Sequence, residues 1–276
     1  MSQSCCIASG KGGVGKTTIT ANLAVALARS GSSVVVIDAD IGLRAQDALL
    51  SMENQVVYDL VDVAHGECLL EQALLSRPEE PKLFLLPAAQ FARCRSLEPK
   101  QLRKILLALK DAYDFILVDC PAGIERGFRN VVNAGVDEFI LLTTPDDVAL
   151  RDAERAAQIM EAKHLPRPRL IVNRLDESLI QRKEMMSART AADVLDLALL
   201  GEIPEDSAVY RSQLRHALFL DYDCEARQAV LRIAMRMKGQ EIPLPAYGSR
   251  RLSPLRRLLF RSLKGDLKEV TPLDNH

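Results

Sequence analysis

Short apolar runs alternate with longer stretches of helical periodicity along the chain, which is the pattern of repeated strand–helix units forming a mostly parallel sheet. The pattern predicts strands at Ser4–Ser9, Val34–Asp38, Leu83–Pro87, Phe115–Asp119, Glu138–Thr143, Arg169–Asn173 and Leu199–Ile203. Most are continuously apolar or β-branched rather than alternating, as expected of strands covered on both faces. Helices are predicted at Lys16–Ser30, Glu98–Asp111, Asp146–Lys163, Thr190–Leu197, Asp206–His216 and Glu225–Lys238. In the first of these Leu23, Ala24, Leu27 and Ala28 recur at helical spacing, and Gly31 ends the element. The expected fold is therefore α/β, a mostly parallel twisted sheet with helices on both faces.

The pattern breaks at Gly239, Pro243, Pro245 and Gly248, which reads as a tether. The expected organisation is a globular domain over 1–238, a tether over 239–249, an amphipathic helix over 250–268 and a tail over 269–276. On a helical wheel Leu252, Leu255, Leu258, Leu259, Phe260, Leu263 and Leu267 gather on one broad face. Arg257, Arg261, Lys264 and Lys268 take the other face, with Arg256 near the boundary. Ser253 suits an N-cap and Pro254 a first helical turn. A basic amphipathic helix behind such a tether reads as an interfacial membrane anchor, the alternatives being a terminal helix packed on the body or one that binds a partner.

Charge sharpens that reading. The net charge is −1, which argues against a protein that coats nucleic acid with its whole surface. Yet Arg250, Arg251, Arg256, Arg257, Arg261 and Lys264 fall within one acid-free stretch. The first residues lack the pattern of a secretory signal. No apolar run approaches the roughly 20 residues of a spanning helix. Cys5, Cys6, Cys68, Cys94, Cys120 and Cys224 show neither metal spacing nor a disulfide framework, so reduced thiols in the cytoplasm are expected.

The chemistry begins after the first strand. Gly10-Lys11-Gly12-Gly13-Val14-Gly15-Lys16-Thr17, followed by Thr18, matches G-x-x-x-x-G-K-[ST] between a predicted strand and a predicted helix. Its glycines let backbone N–H groups converge on phosphate oxygens, and the helix N-terminus adds a favourable dipole. Lys16 is expected on the β- and γ-phosphates of a nucleoside triphosphate, and the Thr17 hydroxyl on Mg²⁺. Asp119 closes the apolar run Phe115-Ile116-Leu117-Val118, where a carboxylate holds the Mg²⁺ shell. Gly123 sits in the following turn, where a backbone N–H can sense the γ-phosphate. Asp38 and Asp40 end the second strand. Asp38 is assigned to the Mg²⁺ shell and Asp40 to orienting the attacking water.

Lys11, directly after the first glycine of the loop, makes K-G-G-V-G-K-T-T, which resembles the deviant Walker A loop of the ParA/MinD family of ATPases. The stretches Asp40-Ile41-Gly42-Leu43-Arg44, Val56-Val57-Tyr58-Asp59-Leu60, Asp119-Cys120-Pro121-Ala122-Gly123-Ile124-Glu125 and Ile203-Pro204-Glu205-Asp206 resemble the MinD branch in particular. These stretches follow the family's order through roughly the first 210 residues. The resemblance implies that Lys11 reaches across an ATP-bound homodimer to the partner's phosphates, as an arginine finger does. It implies slow, partner-stimulated ATP hydrolysis that places the cell-division septum, and a tail (Leu255 to Lys264) held on the anionic inner surface of the membrane. Asn173, Pro204 and Asp206 match the family's adenine contacts, while Asn173-Arg174-Leu175-Asp176 also resembles a guanine motif, leaving GTP open. Asp152 and Glu154 fall where relatives bind a MinC-like inhibitor. A stimulating partner of MinE-like or other topological kind is also implied, and no specific nucleic acid. A flagellar-placement ATPase shares the loop and tail, and a ParA-type DNA-partition ATPase is the other class. Scattered cysteines separate the chain from the family's cluster-carrying members. One departure is local: Ser212-Gln213-Leu214-Arg215-His216-Ala217 stands where the family often has S-N-x-G-x-P.

Overall fold

A computed structural model describes residues 2–90 and 97–245. The predicted amphipathic helix and the end of the tether lie outside the described residues, as do Cys94 and the tail.

Eight strands form one sheet: β1 Gln3–Ala8, β2 Val34–Asp38, β3 Leu75–Arg77, β4 Glu80–Leu86, β5 Phe115–Asp119, β6 Glu138–Thr143, β7 Arg169–Leu175 and β8 Ala198–Pro204. Their order is β3-β4-β2-β5-β1-β6-β7-β8. Every neighbouring pair is parallel except β3 with β4. Strand residues alternate between two cores. Cys6, Ala8, Val35 and Ile37 pack on one face, and Cys5, Ile7, Val34 and Val36 on the other. Burial on both faces explains why these strands read as unbroken apolar runs.

The helix Lys16–Arg29 is buried along most of its length. It packs on the sheet with the helix Glu225–Met237 beside it on the same face, so it is apolar nearly all round rather than amphipathic. On the opposite face the helices Pro99–Leu109, Asp147–Ala162 and Ala188–Leu195 bury one stripe each.

The main predicted elements stand within a few residues of their expected ends. The differences are short elements. β3 has three residues, too few to show a period, and it adds an antiparallel edge through an irregular register at Ser76/Arg77. Gln46–Leu49, Leu60–His65, Leu70–Ala73, Arg126–Val132 and Glu177–Gln181 are helices of one or two turns that periodicity does not resolve.

The edge β8 is covered differently. Arg236, near the end of the last described helix, donates to Leu200 O at 2.9 Å and to the carbonyls of Ile242 and Pro243 at 2.8 and 2.7 Å. This guanidinium ties the segment at Ile242 and Pro243 to the sheet edge, blunting an edge that is otherwise open to pairing.

From β1 the chain travels one way to β2, β3 and β4, returns to β5, and then continues the other way to β8. The reversal places a crevice at the carboxyl end of β1, where ligands of open α/β sheets bind. β2, β5 and β1 are neighbours, and Asp38 stands in register with Asp119, which pairs with Ile7. The topology alone therefore brings the two strand-end carboxylates beside the phosphate loop.

Candidate functional site

The loop leaves β1 at Ser9 and enters the helix at Lys16. Gly15 has φ of 95°, a left-handed conformation that disfavours a side chain. A Cβ there would also lie 2.7 Å from Asn173 Nδ2. That amide donates to Val14 O at 2.9 Å, so Asn173 fixes the loop backbone. Gly10 serves a different purpose. A Cβ on it would sit 2.1 Å from the carbonyl oxygen of Asp152, so the loop presses on the backbone of helix Asp147–Ala162.

Lys16 is 5% exposed and its Nζ lies 2.7 Å from Asp119 Oδ1. Burial disfavours its charge, but the Asp119 carboxylate outweighs burial and raises the pKa above the ordinary lysine value. The second Asp119 oxygen accepts from Gln46 Nε2 at 2.8 Å. Gln46 also donates to Thr17 O at 3.2 Å, while its own Oε1 is buried with no hydrogen-bond partner. Asp38 accepts from the backbone N–H groups of Asp40, Ala45 and Gln46 at 3.0–3.1 Å. Burial first, and the Asp119 charge second, push the Asp38 carboxyl up to about 7. Burial also raises Asp40, against the pull of Lys16. Among the described residues nothing donates to the Asp40 carboxylate, which leaves it available to a ligand or water.

These residues fit Mg²⁺ and a nucleotide. Two buried carboxylates disfavour one another's charge, which a cation relieves, and the orphan Gln46 oxygen is an acceptor awaiting a donor. Asp38, Asp119 and Thr17 would hold the ion. Among the described residues no group of three or more Asp, Glu, His or Cys is arranged as a metal cage.

Lys11 behaves unlike Lys16. It is about half exposed, and among the described residues its ammonium reaches only Asp146, at 3.8 Å. Gly123 has φ of 82°, and its N–H donates to Ser9 O at 3.1 Å, which joins the turn after β5 to the loop. A cavity of about 220 Å³ opens beside the loop, lined by Gly15, Thr18, Asn173, Arg174, Pro204, Asp206, Tyr210 and Gln213 among others. The predicted base contacts Asn173, Pro204 and Asp206 therefore share one wall. The Asp206 carboxylate caps two helices, accepting from Ala208 N and Ala226 N at 2.9 and 3.2 Å. Asp176, the acid of the guanine-like motif, is absent from that lining. It caps the helix Glu177–Gln181 through Ser178 N and Leu179 N.

Asp152 and Glu154 stay apart from this centre. The Asp152 backbone carbonyl abuts Gly10 of the loop, and the Asp152 carboxylate lies 3.6 Å from Arg155. Glu154 lines a separate groove of about 530 Å³ with Glu161, His164, Arg167 and Asp196. Sequence reasoning missed Gln46 and Asp146: a glutamine outside a motif carries no signal, and neither contact is local.

A phosphate loop at the reversal point of a parallel sheet, with buried lysine and strand-end carboxylates, defines a P-loop nucleotide-binding protein. Residues 5–219 match the family model described as the CobQ/CobB/MinD/ParA nucleotide binding domain. The septum site-determining protein MinD of Synechocystis sp. is 42% identical over 261 residues, covering 94% of this chain and 98% of the relative. Among solved structures, the MinC:MinD cell division protein complex of Aquifex aeolicus aligns with TM-score 0.82 and 37% identity, over 89% of this chain and 99% of that one. The septum site-determining protein MinD of Pyrococcus horikoshii, complexed with Mg-ADP, aligns with TM-score 0.76 and 30% identity, over 88% of this chain and 100% of that one. The chain belongs to the MinD branch of the CobQ/CobB/MinD/ParA nucleotide-binding family.

Proposed function

We propose that this chain is a Mg²⁺-dependent ATPase that dimerises on ATP, cycles onto the membrane and positions the division septum by recruiting an inhibitor of MinC type. The observation that carries the reading is the contrast between the two loop lysines. Lys16 is buried on its own Asp119, whereas Lys11 stands half exposed at the surface with one weak partner. A cation so placed is free to neutralise phosphate charge on a second subunit.

When nucleotide arrives, Lys16 exchanges Asp119 for phosphate oxygens and frees that carboxylate for the metal site formed with Asp38 and Thr17. Mg²⁺ supplies charge neutralisation across the phosphates. Asn173 keeps the loop backbone in its receptive shape, with Pro204 and Asp206 walling the adenine end. Asp40 orients the attacking water, and hydrolysis waits on a stimulating partner of MinE-like or other topological kind. The Pyrococcus relative's Mg-ADP and the Aquifex relative's MinC support the nucleotide and partner assignments, and the septum-site relatives support the division role.

The membrane step rests on the basic, leucine-rich stretch from Leu255 to Lys264. One short anchor binds only marginally and reversibly, with each basic residue adding about 1 kcal/mol at an anionic surface. Two anchors in one dimer make the second insertion intramolecular, so dimerisation alone moves the protein from cytoplasm to membrane. Co-sedimentation with anionic vesicles tests this: binding is expected with Mg-ATP, and is lost with ADP or when 250–268 are deleted. Equal binding in ATP and ADP would overturn it.

A further inference from the structure

We propose that the outer face of the helix Ser207–Leu214, with the turn that follows it, is a second contact with the anionic lipid surface, made by the folded body itself. This contact deepens the membrane reading above and rests on it. The helix is anchored on one side by Ala208 and Ser212, which are buried. On the outer side Tyr210 and Leu214 are each 65% exposed, and four residues apart they form one apolar stripe. Arg211 and Arg215, also exposed and four apart, form the adjoining stripe, and exposed His216 follows them. Residues 207–220 contain no acid, and among the described residues no carboxylate pairs with Arg211 or Arg215.

An apolar stripe beside a basic one, with a tyrosine at the boundary, suits the headgroup layer, where aromatic rings and snorkelling cations are both favoured. A nucleic-acid backbone would use the two arginines and gain nothing from Leu214. The stripe also adjoins the nucleotide cavity. Tyr210 and Gln213 line that cavity, and Gln213 Nε2 lies 3.1 Å from Thr18 Oγ1. Lipid on the outer face and nucleotide on the inner face would thus share one helix.

The chain has no tryptophan, so Leu214→Trp in the full protein gives a single reporter. With Mg-ATP and vesicles of phosphatidylcholine and phosphatidylglycerol, its emission is expected to shift to the blue and to be quenched by brominated acyl chains. Leu107→Trp, at another exposed apolar position, is expected to show neither. The double variant Arg211→Gln/Arg215→Gln should weaken vesicle binding by about 25-fold, or about fivefold for each ~1 kcal/mol basic residue. Sedimentation of Leu214→Trp with vesicles while its emission stays unshifted refutes this contact alone. Failure to sediment at all refutes the membrane reading and this contact with it. A shift in Leu214→Trp produced by Mg-ATP without lipid would assign the face to a second copy. A shift produced by duplex DNA but not by vesicles would assign it to nucleic acid. Either result, or an equal shift at position 107, overturns the proposal.

Discussion

Replacing Gly10 with alanine separates two reasons for a glycine in the phosphate loop. The added Cβ would stand 2.1 Å from Asp152 O, 2.2 Å from Asp152 C and 2.8 Å from Ala153 N. All three are backbone atoms inside a 16-residue helix, so no side chain can rotate away. Ordinary contact begins at 3.4 Å, and reaching it means moving loop and helix apart by about 1.3 Å in a close-packed interior. Overpacking of that kind costs about 1–3 kcal/mol. For a domain of this size the cost corresponds to roughly 3–10 °C in melting temperature. Gly12 is the internal control. A Cβ there meets nothing nearer than Ala122 Cβ at 4.0 Å, so Gly12→Ala should melt close to the parent. The assay is thermal unfolding without nucleotide, followed by titration with a fluorescent ATP analogue. Gly10→Ala is expected to melt lower and to bind nucleotide more weakly, because the displaced loop carries the phosphate-binding N–H groups. If Gly10→Ala and Gly12→Ala melt together and bind alike, the steric argument is wrong.

Two further predictions follow from buried charge. Lys16→Met leaves Asp119 buried without its cation, so it should destabilise the nucleotide-free protein by about 3–5 kcal/mol and abolish ATP binding; unchanged denaturant unfolding would contradict this. Glu202 is buried on β8 with Oε1 unpartnered, and burial pushes its carboxyl to about 7 against the pull of Arg189, Arg236 and Arg232. Because the folded value exceeds the unfolded one, Glu202 favours folding at low pH and loses that contribution as pH rises through 7. Glu202→Gln should therefore flatten the fall in stability between about pH 4.5 and 7, by about 1–2 kcal/mol after solvent screening.

The sheet was legible because strands buried on both faces leave long apolar runs, and the loop because its glycine spacing is dictated by phosphate geometry. Strand-end positions gave Asp38 and Asp119, and the register then places them side by side. What stayed hidden depends on contacts distant in sequence. Gln46 reaches Asp119 from a one-turn helix, Lys11 meets an acid 135 residues later, and Gly10 is explained by the backbone of Asp152, still further along the chain. Asn173, expected to read the base, lines the cavity beside the loop, and its amide also donates to Val14 O, a positioning contact that no motif announces.

The central claim is that Lys11 serves a partner subunit rather than its own. Sedimentation equilibrium of the full chain with Mg-ATP and with Mg-ADP, beside Lys11→Ala, tests it most directly. Lys11 is half exposed and its pair with Asp146 is long, so the substitution should change unfolding stability by less than about 1 kcal/mol. The parent is expected to be a dimer in ATP and a monomer in ADP, and Lys11→Ala a monomer in both. A Lys11→Ala protein that dimerises with ATP as the parent does would contradict it.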